Sequence, residues 1–169
     1  MLPNPLHPVV VHFPIVLAVL APFVALGALW AIRRGTLARR AWSIPAAVLG
    51  ALVVSGWVAA QTGEREEDRV ERVVSERPIH THEEAAELFV YSAAGVLAIA
   101  LVGLLPGTAG RAGRVLGTVG TVALVAVGWN VGHTGGELVY RYGAAQAYTS
   151  PRAGEAGVVR VSRDEDRDH

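Results

Sequence analysis

The sequence predicts an all-α fold, a four-helix transmembrane bundle, and three observations carry that prediction. Four long apolar runs divide the chain, the charges are confined to the stretches between them, and none of the runs alternates as a half-buried strand would. Of the 169 residues 51% are hydrophobic and only 18% charged, with a mean hydropathy of +0.36. A soluble domain is nearer one quarter charged. No acidic residue precedes Glu64, and between Leu88 and Gly136 the only charges are Arg111 and Arg114.

The runs cover about 9–32, 42–60, 85–105 and 115–132, each near the ~20 residues that cross a bilayer as a helix. Inside hydrocarbon only helices or closed barrels satisfy the backbone, and runs of this length without alternation are helices. Pro14, Pro22 and Pro45 fall inside them and are expected to bend rather than break them. The opening MLPNPLHP lacks the positive flank of a secretory signal, so the first run reads as a retained helix. Between the second and third runs, GEREEDRVERVVSERP is rich in helix formers. Val70, Val73 and Val74 make an apolar stripe suited to a short surface helix that Pro78 ends. Thr81 and Glu84 have the spacing of a capping box, which places the start of the third helix near His82. The chain thus divides into a membrane domain, 1–148, and a polar, disordered tail, 149–169.

The first connecting loop carries Arg33, Arg34, Arg39 and Arg40 with no acid, and the third carries Arg111 with Arg114 just after it. The positive-inside rule assigns both loops to the cytoplasm and both termini to the other side of a bacterial inner membrane. A net charge of zero gives no footprint for nucleic acid. The absence of cysteine excludes disulfides, thiolate metal sites, c-type haem attachment and iron–sulfur clusters held by this chain.

Five of the six histidines sit at span ends on one side. His7 and His12 open the first helix, His80 and His82 precede the third, and His133 closes the fourth. The arginine loops contain none. Imidazole suits iron, copper and zinc, and two histidines on facing helices hold b-type haem in many bundles. His7 and His12 are five apart and point about 140° apart on a regular helix, so they do not share one small ion unless Pro8 leaves His7 outside it. His12 lies deeper and is the better ligand candidate. His133 and Glu137 share a face at four residues' spacing, so Glu137 can complete a metal site or orient the ring. Glu64, at the end of the second helix, belongs to the same layer. Gly128, Gly132 and Gly136, with Gly135 beside them, form a smooth stripe. It serves ordinary helix packing, a homodimer contact, or the approach of a flat macrocycle. Trp57, Trp129, Tyr140 and Tyr142 read as interfacial anchors.

The opening HPVVVHFPIVL and the closing GHTGGELVYRYGAA resemble the bacterial membrane family called domain of unknown function 2231, over roughly residues 4–145. The resemblance implies a four-helix inner-membrane protein. Relatives fused to Rieske-type or cytochrome c modules imply a setting of electron transfer. No catalytic residue is carried over.

The leading expectation is a membrane protein that holds b-type haem or a transition metal and passes electrons near the outer face. His12 is one axial ligand, His133 or His82 the other, and His7 and His80 are supporting groups; a quinone is a reasonable redox partner. A second expectation is a non-haem iron, copper or zinc enzyme site drawing on His7, His12, His80, His82, His133, Glu64 and Glu137. A third is a cofactor-free accessory subunit whose histidines tune packing or sense pH near ~6.5. A transporter is disfavoured because no ionisable group lies deep within a span.

Overall fold

A computed structural model describes residues 6–149. The tail expected beyond Thr149 lies outside the described residues. Among the described residues there are helices and no strands. A short α1, His7–Val10, runs almost directly into α2, His12–Arg33. A 3-10 turn, Arg39–Trp42, leads into α3, Ser43–Glu64. Then come a short α4, Glu67–Val70, the long α5, Glu76–Val102, and α6, Gly107–Tyr140, with a final turn, α7, Gln146–Thr149.

Four of these units are long and apolar enough to cross a membrane: His7–Arg33, Arg39–Glu64, Glu76–Val102 and Gly107–Tyr140. In their most apolar windows only 22–33% of residues are buried within the protein. The remainder, including Phe13, Phe23, Tyr91 and Val119, presents apolar surface outward. Water would not tolerate so wide a greasy belt, whereas acyl chains do. Trp57, Trp129, Tyr140 and Tyr142 are all exposed, as anchors require.

The long helices form a ring in which α2 packs on α3 and α6, and α5 packs on the same two. The core is made largely of small and branched residues: Ala18, Leu49, Leu52, Ala93, Ala100 and Leu124, with Phe89 among them. At the arginine end Trp42 is wholly buried, and its indole Nε1–H donates to the Ala100 carbonyl at 2.8 Å. Close approach of α5 and α6 depends there on glycine. A Cβ on Gly113 would meet the backbone of Val102 and Gly103.

The ends differ from the sequence expectations in an instructive way. Helix α5 begins at Glu76, after an extended Ser75 whose side chain makes no capping bond, well before the apolar run. Pro78 does not end the preceding helix; it lies in the first turn of α5, where its missing N–H costs nothing. Thr81 caps nothing, since its hydroxyl donates to Arg77 O within the same helix at 3.0 Å. The surface helix is one turn, Glu67–Val70, and of the valine stripe Val74 is buried beside Ile79 and Ala144 while Val73 is exposed. Helix α6 runs on past His133 to Tyr140, so His133 lies inside a helix rather than at its close.

Substituting Gly113→Ala should lower bundle stability by about 1–3 kcal/mol, because the methyl must push two backbones apart. Gly50→Ala, with nothing within 4 Å of the added atom, should leave it unchanged. Thermal melting of both variants in one detergent checks the contrast.

Candidate functional site

A carbonyl inside a helix is usually shielded by the side chain four residues later, because helical side chains lean toward the N-terminus. Glycine removes that cover from several carbonyls here, and two of them are met by histidine. Ala59 is followed at four residues by Gly63, and Val131 by Gly135. A histidine from the neighbouring helix takes each vacancy. His7 brings Nδ1 to 2.8 Å from Ala59 O and 3.2 Å from Thr62 Oγ1, and its ring lies against Gly63. His82 brings Nδ1 to 3.0 Å from Thr134 Oγ1 and lies against Gly135. The threonine hydroxyls each donate back to the same carbonyl, Thr62 to Ala59 O at 2.8 Å and Thr134 to Val131 O at 3.1 Å.

The protonation pattern follows. A carbonyl only accepts, so Nδ1 of His7 carries the hydrogen. The Thr134 hydroxyl has the carbonyls of Asn130 and Val131 as its own acceptors, which leaves its oxygen able to accept from Nδ1 of His82. In the neutral rings both Nε2 atoms then keep a lone pair. The two imidazoles are close enough for the charge of one to act on the other.

The twin sites belong to a duplication. Ala51-Leu52-Val53, Gly56-Trp57 and Thr62-Gly63 on α3 recur on α6 as Ala123-Leu124-Val125, Gly128-Trp129 and Thr134-Gly135 at constant offset. Leu52 and Leu124 are both buried in the core, while Trp57 and Trp129 both face outward. With His7 aligned to His82, the buried Pro14, Ala18 and Ala25 of α2 align with the buried Phe89, Ala93 and Ala100 of α5. The bundle is thus two similar helical hairpins, each with one histidine anchored across its mouth. Thr62 and Thr134 were absent from the sequence-based site. The signal that finds them is this internal repeat, which histidine position alone does not reveal.

The other expected site residues lie elsewhere. His12 is exposed on α2. His80 is exposed and reaches Glu84 at 3.3 Å. His133 is exposed, 4.0 Å from Glu137, whose carboxylate holds Arg141 at 3.0 Å. Glu64 is exposed and accepts from Gln61 Nε2 at 2.9 Å. The structure therefore anchors His7 and His82 at one end of the bundle, near enough for charge on one to act on the other, and leaves His12, His80, His133 and Glu64 exposed and Glu137 paired with Arg141. Among the described residues no three His, Cys, Asp or Glu side chains form a group able to hold a metal ion. The glycine stripe splits too: Gly128 backs on the Phe89 ring and Gly135 on His82, while Gly132 and Gly136 meet nothing within 4 Å.

A carboxylate clamp closes this end. Glu66 Oε1 accepts the backbone N–H of Leu6 at 2.8 Å and of His7 at 3.2 Å, and Oε2 accepts the Tyr148 hydroxyl at 2.6 Å. One side chain thus ties both ends of the described chain to the loop after α3. Burial pushes the Glu66 carboxyl up, but the Tyr148 hydroxyl, the two amides and the His7 charge outweigh it and hold it below its ordinary value. Burial, then the Glu66 bond and charge, raise the Tyr148 phenol, against a small opposing effect of Arg69, stacked on its ring.

Together these features define a class: a four-span membrane protein with paired, backbone-anchored histidines at one end of the bundle. The family described as "Predicted membrane protein (DUF2231)" matches residues 3–147, and the chain belongs to it. No curated protein and no solved structure matches.

The clamp has a pH signature. The lowered Glu66 value means its contribution is full above the ordinary glutamate value of 4.5 and is lost as pH falls through the lowered one. For Tyr148 the sign is opposite: the contribution holds below pH 10 and is lost as pH rises through the raised value. Amide-exchange protection at Leu6 and His7 should therefore be constant from neutral pH down to about 4.5 and drop below it. Glu66→Gln should lower that protection about tenfold at neutral pH and abolish the acid dependence.

Proposed function

We propose that the paired histidines would hold a b-type haem, and that the protein relays electrons at the non-cytoplasmic face of a bacterial inner membrane. The observation that carries this reading is the twin anchoring of His7 and His82. Each ring meets a threonine hydroxyl through Nδ1, and His7 a backbone carbonyl as well, which leaves Nε2 as the donor atom. Orienting a ligating histidine through its other nitrogen is how such ligands are held elsewhere.

The donor set fits haem better than a bare ion. Haem iron needs two axial ligands, and two imidazoles are what the hairpins supply. A non-haem iron, copper or zinc enzyme needs at least three ligands and an open position, and no such group gathers among the described residues. Haem would supply a one-electron carrier at this depth, for which a membrane quinone is a chemically suitable donor. The chain's own part is to hold and orient the two rings and to close the end with the Glu66 clamp. The arginine-rich loops at the opposite end support assigning the histidine end to the non-cytoplasmic side.

Protein purified in detergent after expression with ample haem should show a Soret band, with sharp bands at longer wavelength on dithionite reduction. His7→Ala and His82→Ala should each abolish the low-spin spectrum, whereas His12→Ala and His133→Ala should preserve it. A folded protein with no Soret band sinks the reading and leaves the cofactor-free accessory subunit in its place. Stoichiometric metal without haem would instead revive the non-haem site.

A further inference from the structure

The opposite end of the bundle holds a second arrangement, independent of the histidines. Arg33, Arg39, Arg111 and Arg114 line one hollow of about 340 Å³, rimmed on the α2 side by Leu29 and Ile32. Four positive charges converging on one space repel one another, and a protein normally answers them with carboxylates. None is available: the chain has no acid before Glu64 and none between Glu87 and Glu137.

Two details make this more than a charged rim. Arg114 is buried, at 5% exposure, and close enough to Arg39 and Arg111 to feel their charge. Its Nη1 donates to Gly103 O at 2.6 Å, which fixes the side chain but leaves its charge unanswered. Helix α6, 34 residues long, also begins at the hollow. Gly107 lines it with a positive φ of 74°, and Pro106 gives the helix no side-chain cap. The free first-turn N–H groups and the positive end of the dipole add to the arginines rather than offset them.

We propose that this hollow binds the phosphate of an anionic ligand, with Arg33, Arg39 and Arg111 contacting it and Arg114 supplying fixed charge from behind. Planar guanidinium donors match phosphate oxygens in pairs. The same chemistry is offered by the headgroup of an anionic phospholipid, whose chains would run past Leu29 and Ile32, and by free phosphate.

The test uses the full chain, delipidated in a neutral detergent and titrated separately with phosphatidylglycerol, phosphatidylcholine and inorganic phosphate. Native mass spectrometry reads bound adducts, and thermal melting reads stabilisation. Phosphatidylglycerol should be retained roughly tenfold or more over phosphatidylcholine. The double variant Arg39→Gln/Arg111→Gln should erase that preference. The control Arg34→Gln/Arg40→Gln removes equal charge from the same end but outside the hollow, and should keep it. Retention that millimolar inorganic phosphate leaves unchanged assigns the ligand to lipid. Stabilisation by inorganic phosphate with no lipid preference assigns it to free phosphate. Equal retention of the two lipids with no effect of phosphate overturns the proposal, as does equal loss of preference in both double variants.

Discussion

A helix ordinarily hides its carbonyls, and the histidine end of this bundle depends on two that it does not hide. Gly63 and Gly135 uncover the oxygens of Ala59 and Val131, and Thr62 and Thr134 place a hydroxyl beside each. An imidazole from the preceding spanning helix then fits, with Nδ1 as donor and its Cε1 edge nearest the glycine. Because each contact joins the first and second helices of one hairpin, it fixes the angle at which that hairpin closes. The two contacts together set the spacing of the rings. In a low-dielectric setting such a bond is costly to leave unmade, which explains why small residues are concentrated beneath these rings.

The two ends of the bundle divide the chemistry between them. The histidine end is rich in carboxylates and heavily bonded, with Glu66 collecting the amides of Leu6 and His7 and the Tyr148 hydroxyl. The arginine end is positive and closely packed, with Trp42 bonded to Ala100 and glycines letting α5 and α6 meet. Between them the core of Leu49, Leu52, Phe89, Ala93 and Leu124 carries no charge. Phe89 departs from the repeat, since Pro14 occupies its counterpart. Its ring reaches toward both Gly56 and Gly128, so the two hairpins are locked together by one residue that only the second hairpin supplies.

The four spans and their order were legible because hydropathy over twenty residues outweighs local detail. The helix ends were not, since α5 and α6 continue into polar sequence where hydropathy stops reporting. The spacing of His7 and His12 correctly implied divergent directions, but not which one turns inward. In a span whose outer face is lipid, both faces are apolar and the usual amphipathic cue is lost. Depth favoured His12, yet the exposed side of α2 is where it lies. His133 and Glu137 do share a face, and it is an outward one. The Thr-Gly pairs were readable as a repeat, and their meaning came only from seeing what packs against the missing side chains.

His7 and His82 occupy equivalent places in the two hairpins, each donating through Nδ1 and bearing its lone pair on Nε2. Nitrogen-15 NMR of the histidine side chains in bilayers measures this directly, with His7→Gln and His82→Gln used to assign the signals. The account predicts that cofactor-free protein at neutral pH shows two anchored rings of the Nδ1–H tautomer, each losing its pattern when its own threonine, Thr62 or Thr134, is changed to valine. Rings in the Nε2–H tautomer, or two rings with unlike tautomers, would contradict it.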